Sequence, residues 1–202
     1  MADSRHDSRL AKYKDMKGIY STPMETFFAP KKSWIEQRKW EIPDAFVIKV
    51  APVGGFISKE DNPNQKYTTE EIRREIVESI EVGACAFHTH ARNSQGRHTL
   101  DVDLYHEIID PVKDRFGRNV VVCGCPEGGA NVADSLRPVV EFAGVVETAP
   151  ITCSVVNLTG DFSICQTRDG AQASVEVMQE VGCKPELVLH NLGDLSLVKR
   201  WE

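Results

Sequence analysis

Past Pro43 the chain falls into alternating apolar and amphipathic blocks. Residues 45–52 (AFVIKVAP) form a continuous run rich in β-branched side chains, followed by a Gly-Gly loop, and read as a strand buried on both faces. Thr68 then opens a helix. Thr68-x-x-Glu71 fits a capping box, Ile72, Ile76 and Ile80 recur at i, i+4 and i+8, and Gly83 is placed to end the helix in a left-handed conformation.

The same alternation recurs four more times. A strand over 84–91 (ACAFHTHA) precedes a helix over 103–116, whose Leu104, Ile108, Val112 and Phe116 share a face, with Pro111 expected to kink it and Gly117 to end it. A strand over 119–125 leads to a helix near 131–142, a strand over 144–152 to a helix near 171–181, and a strand over 185–191 to a helix from about Asp194. Strands joined by helical crossovers make a parallel α/β fold, each strand running into a polar loop at its C-terminal end. Two architectures remain open at this point: a small doubly wound sheet, or the first five units of a (β/α)8 TIM barrel. Residues 45–202 would be that partial domain and residues 1–44 an N-terminal extension, mobile at its start.

Composition narrows the partners. With 24 Lys and Arg against 30 Asp and Glu, the formal charge of the 202-residue chain is −6, and no long run of like charge occurs. A nucleic-acid or anionic-membrane partner is not expected. There is no apolar stretch of membrane-spanning length and no apolar core of a signal peptide at the start, so a cytoplasmic location is expected, with the six cysteines as reduced thiols.

The candidate chemistry lies at the end of the second strand. In extended chain Ala86, His88, His90 and Arg92 share one face, while Cys85, Phe87, Thr89 and Ala91 take the other. Imidazoles two residues apart, about 6.6 Å between Cα atoms, can both reach one ion at ~2.1 Å. His88 and His90 are therefore candidate metal ligands, against the alternative of two hydrogen-bonded histidines. Two ligands alone do not complete a catalytic zinc site. Arg92, next on that face, and Glu127, at the same end of the sheet, are candidate catalytic residues. Cys123 and Cys125 share a face of the third strand and are read as core thiols in preference to ligands. Gly54-Gly55 and Gly128-Gly129 could bring backbone N–H groups to an anion or be plain loop glycines. His190 is a further strand-end imidazole; His6, His98 and His106 are expected in solvent, and the NSQGRH loop, residues 93–98, as a surface turn.

These segments resemble the β-keto acid cleavage enzyme family. The likeness runs through VAPVGGF after the first strand, TTEEIRREIVESIEVGACAFHTHARNSQGR through the first helix and second strand, EGGAN after the third strand and KPELVLHNLGDL at the fifth. It implies a (β/α)8 barrel, assembled as a homo-oligomer, usually a tetramer, that holds Zn2+ through His88 and His90. It also implies condensation of a β-keto acid with acetyl-CoA, giving acetoacetate and a new CoA thioester. A third ligand, a glutamate, and the catalytic arginine and aspartate are expected on late strands, past Glu202.

By the same resemblance Phe56, Pro126, Gly129 and Pro150 fall at substrate-contacting positions. Phe56 stands where the family's archetype carries a glutamate facing a substrate ammonium, Pro126-Glu127 replaces Ser-Thr, Pro150 falls near a threonine and Val188 replaces a glutamate. As 202 residues alone, a partial barrel is expected to leave its first and fifth strands with unpaired edges. Two other readings stay open: an amidohydrolase-like metal hydrolase, whose H-x-H pair belongs on the first strand rather than the second, and a non-catalytic relative. The identity of the keto acid and the pathway are not legible.

Overall fold

The computed structural model describes residues 44–159 and 162–198, and expectations for residues 1–43 lie outside them. In chain order the elements are β1 (Lys49–Val50), α1 (Thr69–Glu81), β2 (Ala86–His88), β3 (Ala91–Arg92), β4 (His98–Thr99), α2 (Val102–Phe116), β5 (Val121–Cys123), α3 (Val132–Glu141), β6 (Thr148–Thr152), β7 (Val155–Thr159), β8 (Phe162–Cys165), α4 (Arg168–Glu180), β9 (Lys184–Val188) and α5 (Leu192–Val198). The main sheet has the order β1-β2-β5-β6-β9, and all its pairings are parallel.

That order decides between the two architectures. Each strand lies beside the next strand–helix unit in the chain, without the reversal of direction that marks a doubly wound sheet. The fold is α/β of the (β/α)8 type, with five consecutive units present. The curvature agrees. On a flat sheet β1 and β9 would lie four strand spacings apart, about 19 Å, a gap no lysine side chain spans. Yet Lys49 of β1 donates directly to the Glu186 carboxylate of β9, so the sheet is curled like a barrel wall.

Alternation along the strands divides the two faces. Phe87, Val122, Ala149 and Ile151 meet Ile72 and Ile76 of α1, Ile108 and Val112 of α2, Val139 of α3 and Met178 of α4 in one buried core. Gly124 belongs to this outer face, since a Cβ there would stand 2.9 Å from a Val146 methyl. The alternate positions, Lys49, His88, Cys123 and Glu186, point inward, where Lys49 Nζ lies 3.7 Å from Cys123 Sγ.

The first predicted strand is shorter than expected. Only Lys49–Val50 pairs, and Phe46, Val47 and Ile48 are 81%, 74% and 60% exposed. These three residues precede the paired segment, and neither face of the chain is covered there. Two antiparallel hairpins, β3–β4 and β7–β8, are additions that the alternation did not foretell.

The first helix forms as its sequence requires. Thr68 Oγ1 accepts from the Glu71 amide while the Glu71 carboxylate accepts from the Tyr67 and Thr68 amides, and Gly83, at φ 121°, takes up the turn beyond the helix. Those two backbone N–H groups hold the Glu71 carboxyl down at about 2, well below its ordinary 4.5. Because the folded-state value is depressed, the stabilisation is present above the unfolded value and disappears as pH falls from about 4.5 through about 2. Replacing Thr68 by alanine is expected to cost about 1 kcal/mol. The thermal-stability gap between wild type and Glu71→Gln, followed against pH, is expected to close over that acidic window.

Candidate functional site

The site is built at the C-terminal ends of the strands. His88 closes β2, and the chain turns through Thr89 and His90 into the β3–β4 hairpin, whose register sets Arg92 opposite His98. Asn93 Oδ1 accepts from the Gln95 and Arg97 amides at the tip. Gly96, at φ 72°, closes the turn where any Cβ would collide with the Tyr67 ring at 2.1 Å.

The two predicted imidazoles converge. Nε2 of His88 and Nε2 of His90 lie 3.1 Å apart, with His90 only 8% exposed. On the other side of the His90 ring, Nδ1 is 3.3 Å from His98 Nδ1 and 3.3 Å from Cys125 Sγ. His88, His90 and Cys125 form a group whose donor atoms lie within 4.8 Å of one another, close enough to hold one metal ion. His98, expected in solvent, is instead half-buried against His90. Cys125, expected in the core, is indeed buried but also touches the site. The neighbourhood of both depends on loop paths: the first on hairpin register, the second on how the chain leaves β5.

Burial sets the protonation states. Desolvation, then the nearby Lys49 charge, lowers the His88 pKa; desolvation, aided by His88, His98 and Arg92, pushes His90 down to about 3. Both rings are therefore neutral near pH 7, the form in which an imidazole donates a lone pair to a metal. Complete burial pushes the Cys125 thiol up to about 12, so it stays protonated without a metal.

Arg92 is committed elsewhere. Its guanidinium donates to the carbonyls of Gly96 at 2.7 Å, Ile57 at 3.0 Å and Gly54, clamping the loop after β1 to the hairpin. Beside the histidines a cavity of about 560 Å³ opens, walled in part by Phe56, Pro126, Glu127, Gly129 and Pro150. Glu127 presents its carboxylate to Thr152 Oγ1 at 3.3 Å and its backbone carbonyl to His98 Nε2 at 2.8 Å. His190 and His106 are exposed, and His6 lies outside the described residues. The β7–β8 hairpin supplies the far wall through Ser163, Ile164 and Cys165.

The chain is 26% identical over 161 residues to the 3-keto-5-aminohexanoate cleavage enzyme of Fusobacterium nucleatum subsp. nucleatum, covering 79% of this chain and 58% of that protein. It is 28% identical over 143 residues to the enzyme of the same name from Acetoanaerobium sticklandii, covering 71% and 52%. It thus spans little more than half the length of these curated relatives. Among solved structures, apo ObcA superposes with a TM-score of 0.57 at 20% identity, over 63% of this chain and 30% of ObcA. ObcA in ternary complex with a C4-CoA adduct and oxalate superposes equally well, over 31% of its chain. The family model for β-keto acid cleavage enzyme matches residues 45–202, and on that match the chain belongs to the β-keto acid cleavage enzyme family.

Proposed function

We propose that residues 45–202 supply the front of a barrel that cleaves a β-keto acid by condensing it with acetyl-CoA, giving acetoacetate and an acyl-CoA product, with zinc held by His88 and His90. Residues 1–44 are an extension outside that domain. The observation that carries the reading is the facing pair of Nε2 atoms, 3.1 Å apart, at a strand end beside a cavity.

The donor set fits the ion. Two nitrogens bound to one tetrahedral zinc at ~2.1 Å stand about 3.4 Å apart, a few tenths of an ångström from the separation found. Two uncharged imidazoles satisfy its preference for nitrogen ligands. When bound, zinc supplies a Lewis acid that polarises the substrate's keto oxygen. The thiol of Cys125, 3.9 Å from His90 Nε2 and within 4.8 Å of the His88 and His90 donor atoms, is placed as a third donor from the described residues.

The chain's own groups do the rest. The cavity holds the keto acid, with Gly128 and Gly129 bringing backbone close to it and Glu127 as the acid or base on its wall. Arg92 positions the two loops that frame the opening. The ObcA complexes, with a C4-CoA adduct and oxalate and with oxaloacetate, support a thioester and a keto acid as ligands. A homo-oligomer, a tetramer by resemblance, and a cytoplasmic location belong to the same proposal. No helix among the described residues is long and apolar enough to cross a membrane.

Phe56 sets the substrate class. A phenyl ring on the wall offers no anionic, hydrogen-bonding partner for an ammonium, so keto acids with uncharged far ends are expected to be preferred. A missing charge-assisted hydrogen bond is worth about 1.5–3 kcal/mol, so kcat/KM for 3-keto-5-aminohexanoate should lie about 10- to 100-fold below that for an uncharged analogue. The test is to incubate the zinc-loaded protein with acetyl-CoA and a panel of β-keto acids and assay acetoacetate. Acetoacetate from none of them, in a protein that also carries the late-strand glutamate, arginine and aspartate that the family resemblance implies, would refute the reaction, and a preference for the amino-keto acid would refute the role of Phe56.

A further inference from the structure

A chain of hydrogen bonds behind His90 determines which of its nitrogens carries the proton. A backbone carbonyl oxygen can only accept, so at 2.8 Å from the Glu127 carbonyl the Nε2 of His98 must donate. In neutral His98 the proton is then on Nε2 and Nδ1 holds a lone pair. That lone pair faces Nδ1 of His90 at 3.3 Å, which must in turn be the donor. With its proton on Nδ1, His90 has its lone pair on Nε2, the atom that faces His88.

The reverse tautomer is disfavoured by the same contacts. A proton on Nε2 of His90 would leave two Nδ1 lone pairs opposed at 3.3 Å. The competing partner at Nδ1, the Cys125 thiol, is only a weak donor. The relay is held rigidly. His98 is fixed by the hairpin pairing with Arg92, and a Cβ on Gly128 would stand 2.8 Å from its Cδ2 and 2.9 Å from its Nε2. Glycine at φ 98° is what admits the ring to the carbonyl.

We infer that His98 is a positioning residue: it passes the fixed polarity of the Glu127 carbonyl to His90 and holds that ring in the Nδ1–H tautomer, ready to ligate through Nε2. The inference rests on the zinc reading for its purpose but not for its geometry. Partners of this kind behind a metal-bound imidazole change affinity by about 10- to 100-fold.

Two variants and two readouts test it. His98→Phe keeps a ring but removes donor and acceptor; His98→Gln keeps one of each. Long-range proton–nitrogen NMR on the 15N-labelled, metal-free chain is expected to find the His90 proton on Nδ1 in wild type and His98→Gln, and partly on Nε2 in His98→Phe. Zinc titration is expected to give a 10- to 100-fold weaker Kd for His98→Phe, restored by His98→Gln to within a few-fold of wild type. A wild-type His90 protonated on Nε2, or equal zinc affinity for all three proteins, would overturn the inference. If wild type binds no zinc the metal reading fails, and the tautomer measurement still decides the relay. Should His98→Phe not fold, the wild-type tautomer and the His98→Gln titration decide it.

Discussion

Replacing His88 or His90 by alanine is expected to abolish tight zinc binding, and with it turnover of any β-keto acid. A tightly held protein zinc ion is worth roughly 10 kcal/mol or more shared over three or four ligands, so one lost imidazole should weaken binding by about 3 kcal/mol, on the order of 10²-fold. The measurement that separates a ligand from a buried structural histidine is stability against zinc concentration. Free zinc at 100 times Kd should raise wild-type stability by about 2.7 kcal/mol. The His88→Ala and His90→Ala proteins, compared at the same concentration, should show almost none of that rise. A structural histidine predicts the opposite pattern, an equal loss with and without metal. His90 is 8% exposed, so its removal also leaves a cavity, and that cost must appear in both columns before the metal-dependent difference is read. Equal zinc stabilisation of wild type and both variants would sink the ligand assignment.

The parts of this site that were legible in the sequence are those set by local periodicity. The capping box at Thr68, the inward face shared by His88 and His90, and the succession of strand and helix follow from rules that act over a few residues, and the structure contains them. The choice between barrel and doubly wound sheet was not legible in the spacing, because strand order is a property of the whole chain; the family resemblance pointed to the barrel, and the strand order agrees with it. The hairpins escaped for a different reason. β3 and β4 have two residues each, too few to display a period of two, and the loop NSQGRH gives the same composition whether its ends pair or splay.

His98 was lost with them. It reaches His90 only because Arg92 and His98 are register partners, and nothing within reach of either residue encodes that. Asn93 and Gly96 stand at the first and fourth positions a type I turn favours, a signal for the turn but not for the pairing of its ends. Cys125 shows the limit of weighing a residue as either core or ligand. It is fully buried and lies 3.3 Å from a site imidazole at once.

Arg92 separates positioning from catalysis, and its loss is expected to unfold the site rather than merely slow it. The side chain is 4% exposed and its guanidinium satisfies carbonyls from two segments, Gly54 and Ile57 after β1 and Gly96 in the hairpin, with the Tyr67 ring 5.5 Å from its carbon. Arg92→Ala leaves those carbonyls short of donors and opens a void where the side chain lay. With charge-assisted hydrogen bonds at about 1.5–3 kcal/mol each and partial rescue by water, a net destabilisation of about 3 kcal/mol follows, read as a lower urea midpoint in metal-free protein. Arg92→Lys should recover little, because one ammonium cannot span carbonyls that a planar fork reaches together. The hairpin also carries His98, so both variants should bind zinc more weakly than wild type even where they remain folded. If Arg92→Ala instead kept the wild-type urea midpoint and zinc affinity while losing turnover, the guanidinium would have to act on substrate directly, and the clamp would be incidental.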